Sequence, residues 1–193
     1  MRTLKTALVI LILLAGFNVS AQNVALKTNL LYDATLTLDG GIEVKTHPRW
    51  TVELTGNLNA WSINNRHWKQ WNLQPEIRWW LCEAFSGHFF GAHLIGGQYN
   101  FGHLPFNFKF LGTDFSQLRD YRFQGWMGGA GLAYGYSWIL NRHWNIEAEI
   151  GLGWIYTRYD KFECADCGQK VDEKHPHNYV GPTKAAINLI YTF

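Results

Sequence analysis

Apolar residues recur at every second position through almost the whole chain, the period of an extended strand rather than of a helix. In Trp50-Thr51-Val52-Glu53-Leu54-Thr55-Gly56-Asn57-Leu58-Asn59 the even positions are apolar or small and the odd ones polar. Trp71, Leu73, Pro75, Ile77, Trp79 and Leu81 alternate with Gln70, Asn72, Gln74, Glu76 and Arg78. Trp144, Ile146, Ala148, Ile150, Leu152 and Trp154 alternate in the same way with Asn145, Glu147, Glu149, Gly151 and Gly153. Strands of about ten residues exceed the usual globular length and suit a tilted strand that crosses a membrane. The pattern predicts eight of them, over 24–33, 41–47, 50–61, 69–82, 87–99, 122–139, 144–159 and 179–193. The connections 47–49, 83–86 and 141–143 are tight, whereas 33–40, 62–68, 100–121 and 160–178 are longer. An even strand count with short turns on one side and long loops on the other predicts an all-β fold. Its form is an eight-stranded antiparallel up-and-down transmembrane β-barrel of the outer-membrane type.

Which parity points inward decides between that barrel and a soluble one. The polar parity carries Lys27, Glu43, Glu53, Glu76, Arg78, Glu147, Glu149 and Lys184, with both signs placed to pair across a lumen only wide enough for side chains. Glycines suit that crowding: Gly125, Gly129, Gly131 and Gly135 share one face of the sixth strand, and Gly151 and Gly153 lie on the inward face of the seventh. Aromatics fall into two groups. Trp50, Trp79, Trp138, Trp144, Tyr191 and Phe193 lie toward the turns; Tyr32, Trp61, Trp71, Trp126, Trp154 and Tyr179 lie toward the loops. Two such girdles match the two interfaces of a bilayer. The apolar parity is therefore expected outside, against outer-membrane lipid, with a lumen ion-pair network inside. The competing soluble barrel would bury the tryptophans and expose the charges. Strand 87–99, with His88, His93 and Gln98 among Phe and Gly, has no parity that can be read.

The first residues stand apart. Arg2 and Lys5 precede an apolar run from Ala7 to Gly16, followed by Val19-Ser20-Ala21. A charged start, a short apolar segment and a small-residue cleavage motif predict a signal peptide over 1–21, with the barrel domain over 22–193. The leader's two basic residues gone, 15 basic residues balance 15 acidic ones, which leaves no electrostatic footprint for nucleic acid. Export also excludes a cytosolic enzyme.

Several segments resemble one family. They are Leu26-Lys27-Thr28-Asn29-Leu30-Leu31-Tyr32-Asp33-Ala34, Gln74-Pro75-Glu76-Ile77-Arg78-Trp79-Trp80 and Trp144-Asn145-Ile146-Glu147-Ala148-Glu149-Ile150-Gly151. With them go Cys164-Ala165-Asp166-Cys167-Gly168 and Asn178-Tyr179-Val180-Gly181-Pro182-Thr183-Lys184-Ala185-Ala186. The family is an uncharacterised domain-of-unknown-function group of small Gram-negative outer-membrane barrels, often encoded near fimbrial genes. The architecture is similar to barrels of the OmpA and OmpX type, a likeness of fold that does not fix function. The resemblance implies an outer-membrane barrel and brings no catalytic residues. The chain's end, Ile187, Leu189, Tyr191 and Phe193, is similar to the C-terminal signal read by the barrel-assembly machinery. An ordinary apolar strand end would look the same.

Four features carry candidate chemistry. The inward charges are read as a structural plug, since charges in a narrow lumen must pair; an ion or proton pathway is the alternative. Cys164 and Cys167, followed by His175 and His177, have the donor types for tetrahedral zinc in the last loop. A local disulfide or free thiol pair is the first reading there, and a redox pair lacks its usual helix. Cys82, on the turn side, is too far away to join them. Ser62 with His67, and Ser116 with His103, are the only nucleophile and base pairs near the loop rim, and neither forms a recognisable motif. The loop 101–121 holds Phe101, Leu104, Pro105, Phe106, Phe108 and Phe110. It is either a contact site for a surface protein or lipid, or a cover that buries its own aromatics.

The leading expectation is a barrel that is no enzyme, holds no cofactor, and has a structural, assembly or surface-interaction role linked to surface appendages. The alternative is a surface module binding a ligand or partner through the long loops, which loop deletion with intact folding separates from the first. A lipid-modifying enzyme comes third, to be tested with a serine-reactive probe.

Overall fold

In the computed structural model the described residues are 23–63, 66–102, 109–110, 113–114, 121–163 and 170–193, with backbone alone at 61–63, 66–67, 109–110, 113–114, 170 and 172–175. The strands are β1 (Val24–Asn29), β2 (Leu38–His47), β3 (Trp50–Ile63), β4 (Arg66–Trp80) and β5 (Gly87–Gly102). A short ribbon, β6 (Lys109–Phe110) and β7 (Thr113–Asp114), precedes β8 (Arg122–Ile139), β9 (Trp144–Phe162) and β10 (Lys170–Thr192). Eight of them close into an all-antiparallel barrel in the order β1-β10-β9-β8-β5-β4-β3-β2. Sequence neighbours pair throughout, and β1 closes on β10, so no edge runs the full height of the sheet.

The apolar parity faces outward. Leu54, Trp71, Ile77, Trp126, Ile150 and Trp154 are exposed, and Leu132 is 71% exposed in mid-strand. All eight charged side chains of the polar parity are buried. A water-soluble barrel of the same alternation would show the reverse. Trp50, Trp79, Trp138 and Trp144 ring the outer surface at the turn end, and Trp71, Trp126 and Trp154 ring it toward the loops. Strand β5 resolves as well: Phe89, Gly91, His93 and Ile95 point inward, whereas Phe90 and Leu94 point outward.

Several boundaries differ from the sequence expectation, three of them for a physical reason. The strand expected over 24–33 stops at Asn29, because the Asn29 side chain accepts the Leu31 N–H at 3.1 Å and caps a helical turn, α1 (Leu30–Ala34). The hairpins expected to open at 62–68 and 160–178 instead continue as paired backbone, Ile63 opposite Arg66 and Tyr159 opposite His175. Beyond an apolar belt a ribbon needs only its ladder and no apolar face, so alternation gives no signal there. A register shift between Pro182 and Lys184 makes Thr183 an extra residue on β10; such a bulge lets neighbouring side chains turn to one face.

The turn end of the lumen is closed by apolar packing. Trp80, fully buried, lies 4.7 Å from Phe89 between ring centroids, with Phe85, Ala25 and Ile190 in the same cluster. The 83–86 turn folds beneath it, holding Phe85 at φ 69° while the Phe85 carbonyl accepts from Ser137 Oγ (3.1 Å) and Asn145 Nδ2 (3.0 Å). A positive φ on a bulky residue is costly, and these two bonds hold it in place.

Candidate functional site

The middle of the lumen is filled by one charged cluster whose geometry follows from register. Glu43, Glu53, Glu76, His93, Gly131, Gly153 and Gly181 are successive cross-strand partners on β2, β3, β4, β5, β8, β9 and β10. Three adjacent carboxylates would repel one another, so cations must reach between them, and the glycines opposite leave room for those cations. A Cβ on Gly131 would lie 2.7 Å from His93 Nε2. One on Gly151 would lie 2.9 Å from both His93 Cε1 and Lys184 Cβ.

Arg78 is the hub. Its Nε donates to Glu76 Oε1 at 2.6 Å and its Nη2 to Glu149 Oε2 at 2.7 Å. Its Nη1 lies 3.1 Å from Glu43, 2.8 Å from Glu53 and 3.1 Å from Glu147, so one guanidinium touches all five carboxylates. The guanidinium also sits 4.5 Å over the Phe89 ring, which joins the charged cluster to the apolar plug beneath. Lys27 pairs with Glu43, with Glu53 at 2.8 Å and with Glu147 at 3.2 Å; Lys184 pairs with Glu76 at 2.7 Å and with Glu53 and Glu149 at 3.1 Å each. Oxygens of Glu53, Glu76 and Glu149 lie within 4.8 Å of one another, and Arg78 and Lys184 are the cations between them. The residues expected to form the lumen network, Lys27, Glu43, Glu53, Glu76, Arg78, Glu147, Glu149 and Lys184, thus meet in one cluster. Five carboxyl groups stand against three cations.

Sequence reasoning missed His93 and Thr183, which extend it. The β10 bulge turns Thr183 inward beside Lys184, and its hydroxyl lies 2.9 Å from His93 Nε2. The other ring nitrogen, His93 Nδ1, has no hydrogen bond and stands 3.8 Å from Glu76 Oε2. The Gly181-Pro182 pair was the available signal, since Gly and Pro inside a strand pattern mark a bulge.

Above the cluster the lumen changes character. Asn57 and Asn72 exchange amide hydrogen bonds at 2.8 and 3.1 Å. Above that pair lies an open cavity of about 770 Å³, bordered by β3, β4, β5, β8 and β9.

Elsewhere the candidates separate. Cys164 and Cys167 lie outside the described residues, as does the His175 side chain. His175 and His177 belong to β10, opposite Tyr159 and Thr157, rather than to a free loop. Cys82 is exposed and unpaired at the turn end. Ser62 and His67 are cross-strand partners by backbone register, with side chains outside the described residues; Ser116 and His103 are outside them altogether. Most of 101–121 is likewise outside, apart from the β6–β7 ribbon and the strand ends. Ile187 and Phe193 are exposed at the seam, and Tyr191 packs edge-on against Trp144 and Phe193.

A family model described as a protein of unknown function (DUF3575) matches residues 7–193. No curated protein and no solved structure matches the chain.

Proposed function

The chain belongs to the DUF3575 family, and from that premise and its two unlike faces we propose that it is an outer-membrane barrel, exported by a signal peptide over 1–21. The single observation that carries this reading is the inversion of faces, with exposed Leu and Trp in a belt outside and the eight Glu, Lys and Arg side chains of the cluster paired inside. In water that belt is an aggregation surface; in lipid it is the natural boundary of a closed barrel, with aromatic rings at both interfaces. The C-terminal Ile187, Leu189, Tyr191 and Phe193 serve as the insertion signal for the assembly machinery.

The role that fits is structural, assembly or surface interaction rather than transport. An apolar plug and an ion-pair cluster fill the lumen in series, which suits a rigid anchor better than a pore. A link to surface appendages rests on the resemblance alone. Contact with a surface partner through 101–121 is the second form of the same reading. Cys164 and Cys167 form a disulfide or thiol pair in it, with zinc as the alternative. A lipid-modifying enzyme is the third form, and its sequence candidates, Ser62 with His67 and Ser116 with His103, have their side chains outside the described residues.

Fractionation of the native producer tests the proposal. Folded protein is expected in the outer-membrane fraction, starting at Gln22, with a gel mobility that shifts on boiling. Folded protein in the soluble periplasm overturns it.

A further inference from the structure

The cavity above the Asn57–Asn72 pair is built from one row of the sheet. Asn59, Gln70, Tyr99, Gly125 and Tyr159 are successive cross-strand partners on β3, β4, β5, β8 and β9, and all five line it. The row offers two amides, two phenol rings and a glycine where a fifth side chain would project. The row itself contains no charged residue, in contrast to the Glu43–Glu53–Glu76 row deeper in the lumen, although Lys69, Arg158 and Asp160 also border the cavity. The Tyr99 hydroxyl lies 2.6 Å from Thr157 Oγ1, which fixes its ring in the wall, and Asn59 Nδ2 donates to Thr37 Oγ1 at 2.8 Å. These groups are held in position by the barrel wall, the preorganisation a binding site needs.

We infer that this loop-side cup binds an uncharged saccharide. Its volume, about 770 Å³, falls in the range of small-ligand sites, roughly 300–1,000 Å³. Amides can both donate to and accept from sugar hydroxyls, and the phenol faces suit the apolar C–H faces of a pyranose ring. Two other ligand classes fit less well. A purely apolar ligand would cover the Gln70 amide without giving it a hydrogen bond. An anion would meet Asp160 in the lining beside Lys69 and Arg158, and no charged side chain lies in the row itself. The inference gives the surface-binding form of the proposed function a ligand class. It rests on that reading only for the side from which the sugar arrives.

The test uses the full mature chain refolded in detergent, with the boiling-dependent gel shift as the check of folding. Isothermal titration is run with glucose, galactose, mannose, N-acetylglucosamine and their neutral di- and trisaccharides, and with glucuronate and glucose 6-phosphate as anionic comparators. At least one neutral sugar is expected to bind saturably. Gln70→Ala and Tyr99→Ala are each expected to weaken it roughly tenfold, about the loss of one hydrogen bond or one ring contact. Both variants lie away from the ion-pair cluster, and Gln70→Glu, which keeps the shape and adds a charge, serves if either fails to fold. No saturable neutral sugar, tighter binding of the anions, or affinity unchanged in all folded variants overturns the inference. Protein found in the soluble periplasm that still binds the sugar sinks the membrane reading alone.

Discussion

Replacing Arg78 with Met removes the one group that touches all five lumen carboxylates while keeping most of the side-chain volume. Lys27 and Lys184 then remain alone against Glu43, Glu53, Glu76, Glu147 and Glu149. Removing one partner of a buried ion pair costs about 3–5 kcal/mol, because the other charge stays buried and uncompensated. The upper end is expected here, since Glu147 and Glu149 lose Arg78 bonds of 3.1 and 2.7 Å. The lost cation–π contact with Phe89 at 4.5 Å adds roughly 0.5–1 kcal/mol. The assay is urea unfolding of protein refolded into lipid vesicles, followed by tryptophan fluorescence and checked by the boiling shift. Adding Glu149→Gln removes the carboxyl group that loses its 2.7 Å Arg78 bond, so the double variant should recover about 1–3 kcal/mol over Arg78→Met. A loss below about 1 kcal/mol for Arg78→Met, or strictly additive losses in the double variant, refutes the picture of a charge-balanced plug.

Leu54→Arg and Ile150→Arg, on the outward face, should each cost about 2–4 kcal/mol of insertion free energy near the bilayer midplane, read as reduced folded yield in vesicles. Glu53→Gln, one residue away but inward, should insert normally and lose about 1–3 kcal/mol in urea. Gly151→Val drives a Cβ to within 2.9 Å of His93 and Lys184 and should cost about 1–3 kcal/mol. Gly40→Ala, where a Cβ meets nothing within 4 Å, should stay within about 0.5 kcal/mol of the parent in the same titration. Thiol alkylation of intact cells addresses Cys164 and Cys167: labelling only after reductant identifies a disulfide, labelling only after chelator identifies zinc, and immediate labelling identifies free thiols.

The strand pattern was legible because a barrel wall has one lipid-like and one polar face, and period two records that directly. The inward set Lys27, Glu43, Glu53, Glu76, Arg78, Glu147, Glu149 and Lys184 followed from parity once the face was chosen. Parity failed where chemistry departs from alternation. Strand β5 mixes Phe89 and Ile95 inward with Phe90 and Leu94 outward, because its inward side meets the apolar plug at one level and the charged cluster at another. Trp80 was hidden for the same reason: an apolar residue on the polar parity contradicts the pattern and yet seals the barrel. Asn29 ends β1 through a side-chain cap, a local bond that competes with the ladder and leaves the apolar pattern of Leu30 and Leu31 intact. His93 and Thr183 meet only because a bulge shifts register on a strand far away in sequence, and alternation within one strand cannot report that. The saccharide cup is equally a property of register, since Asn59, Gln70, Tyr99, Gly125 and Tyr159 become a row only once five strands are aligned.

The most direct test of the central claim, an apolar outer face that lies in a bilayer, is a spin label at one outward position. Leu132, 71% exposed in the middle of β8, is replaced by Cys in a chain whose own cysteines are changed to Ser, labelled, and reconstituted into vesicles. Collision rates are then measured with oxygen, which concentrates in the hydrocarbon, and with a water-soluble nickel chelate, which is excluded from it. The account predicts frequent oxygen collisions and almost none with nickel at Leu132, against frequent nickel collisions for a label at Arg142 in the short turn. Nickel access at Leu132 equal to that at Arg142, in folded protein, contradicts it.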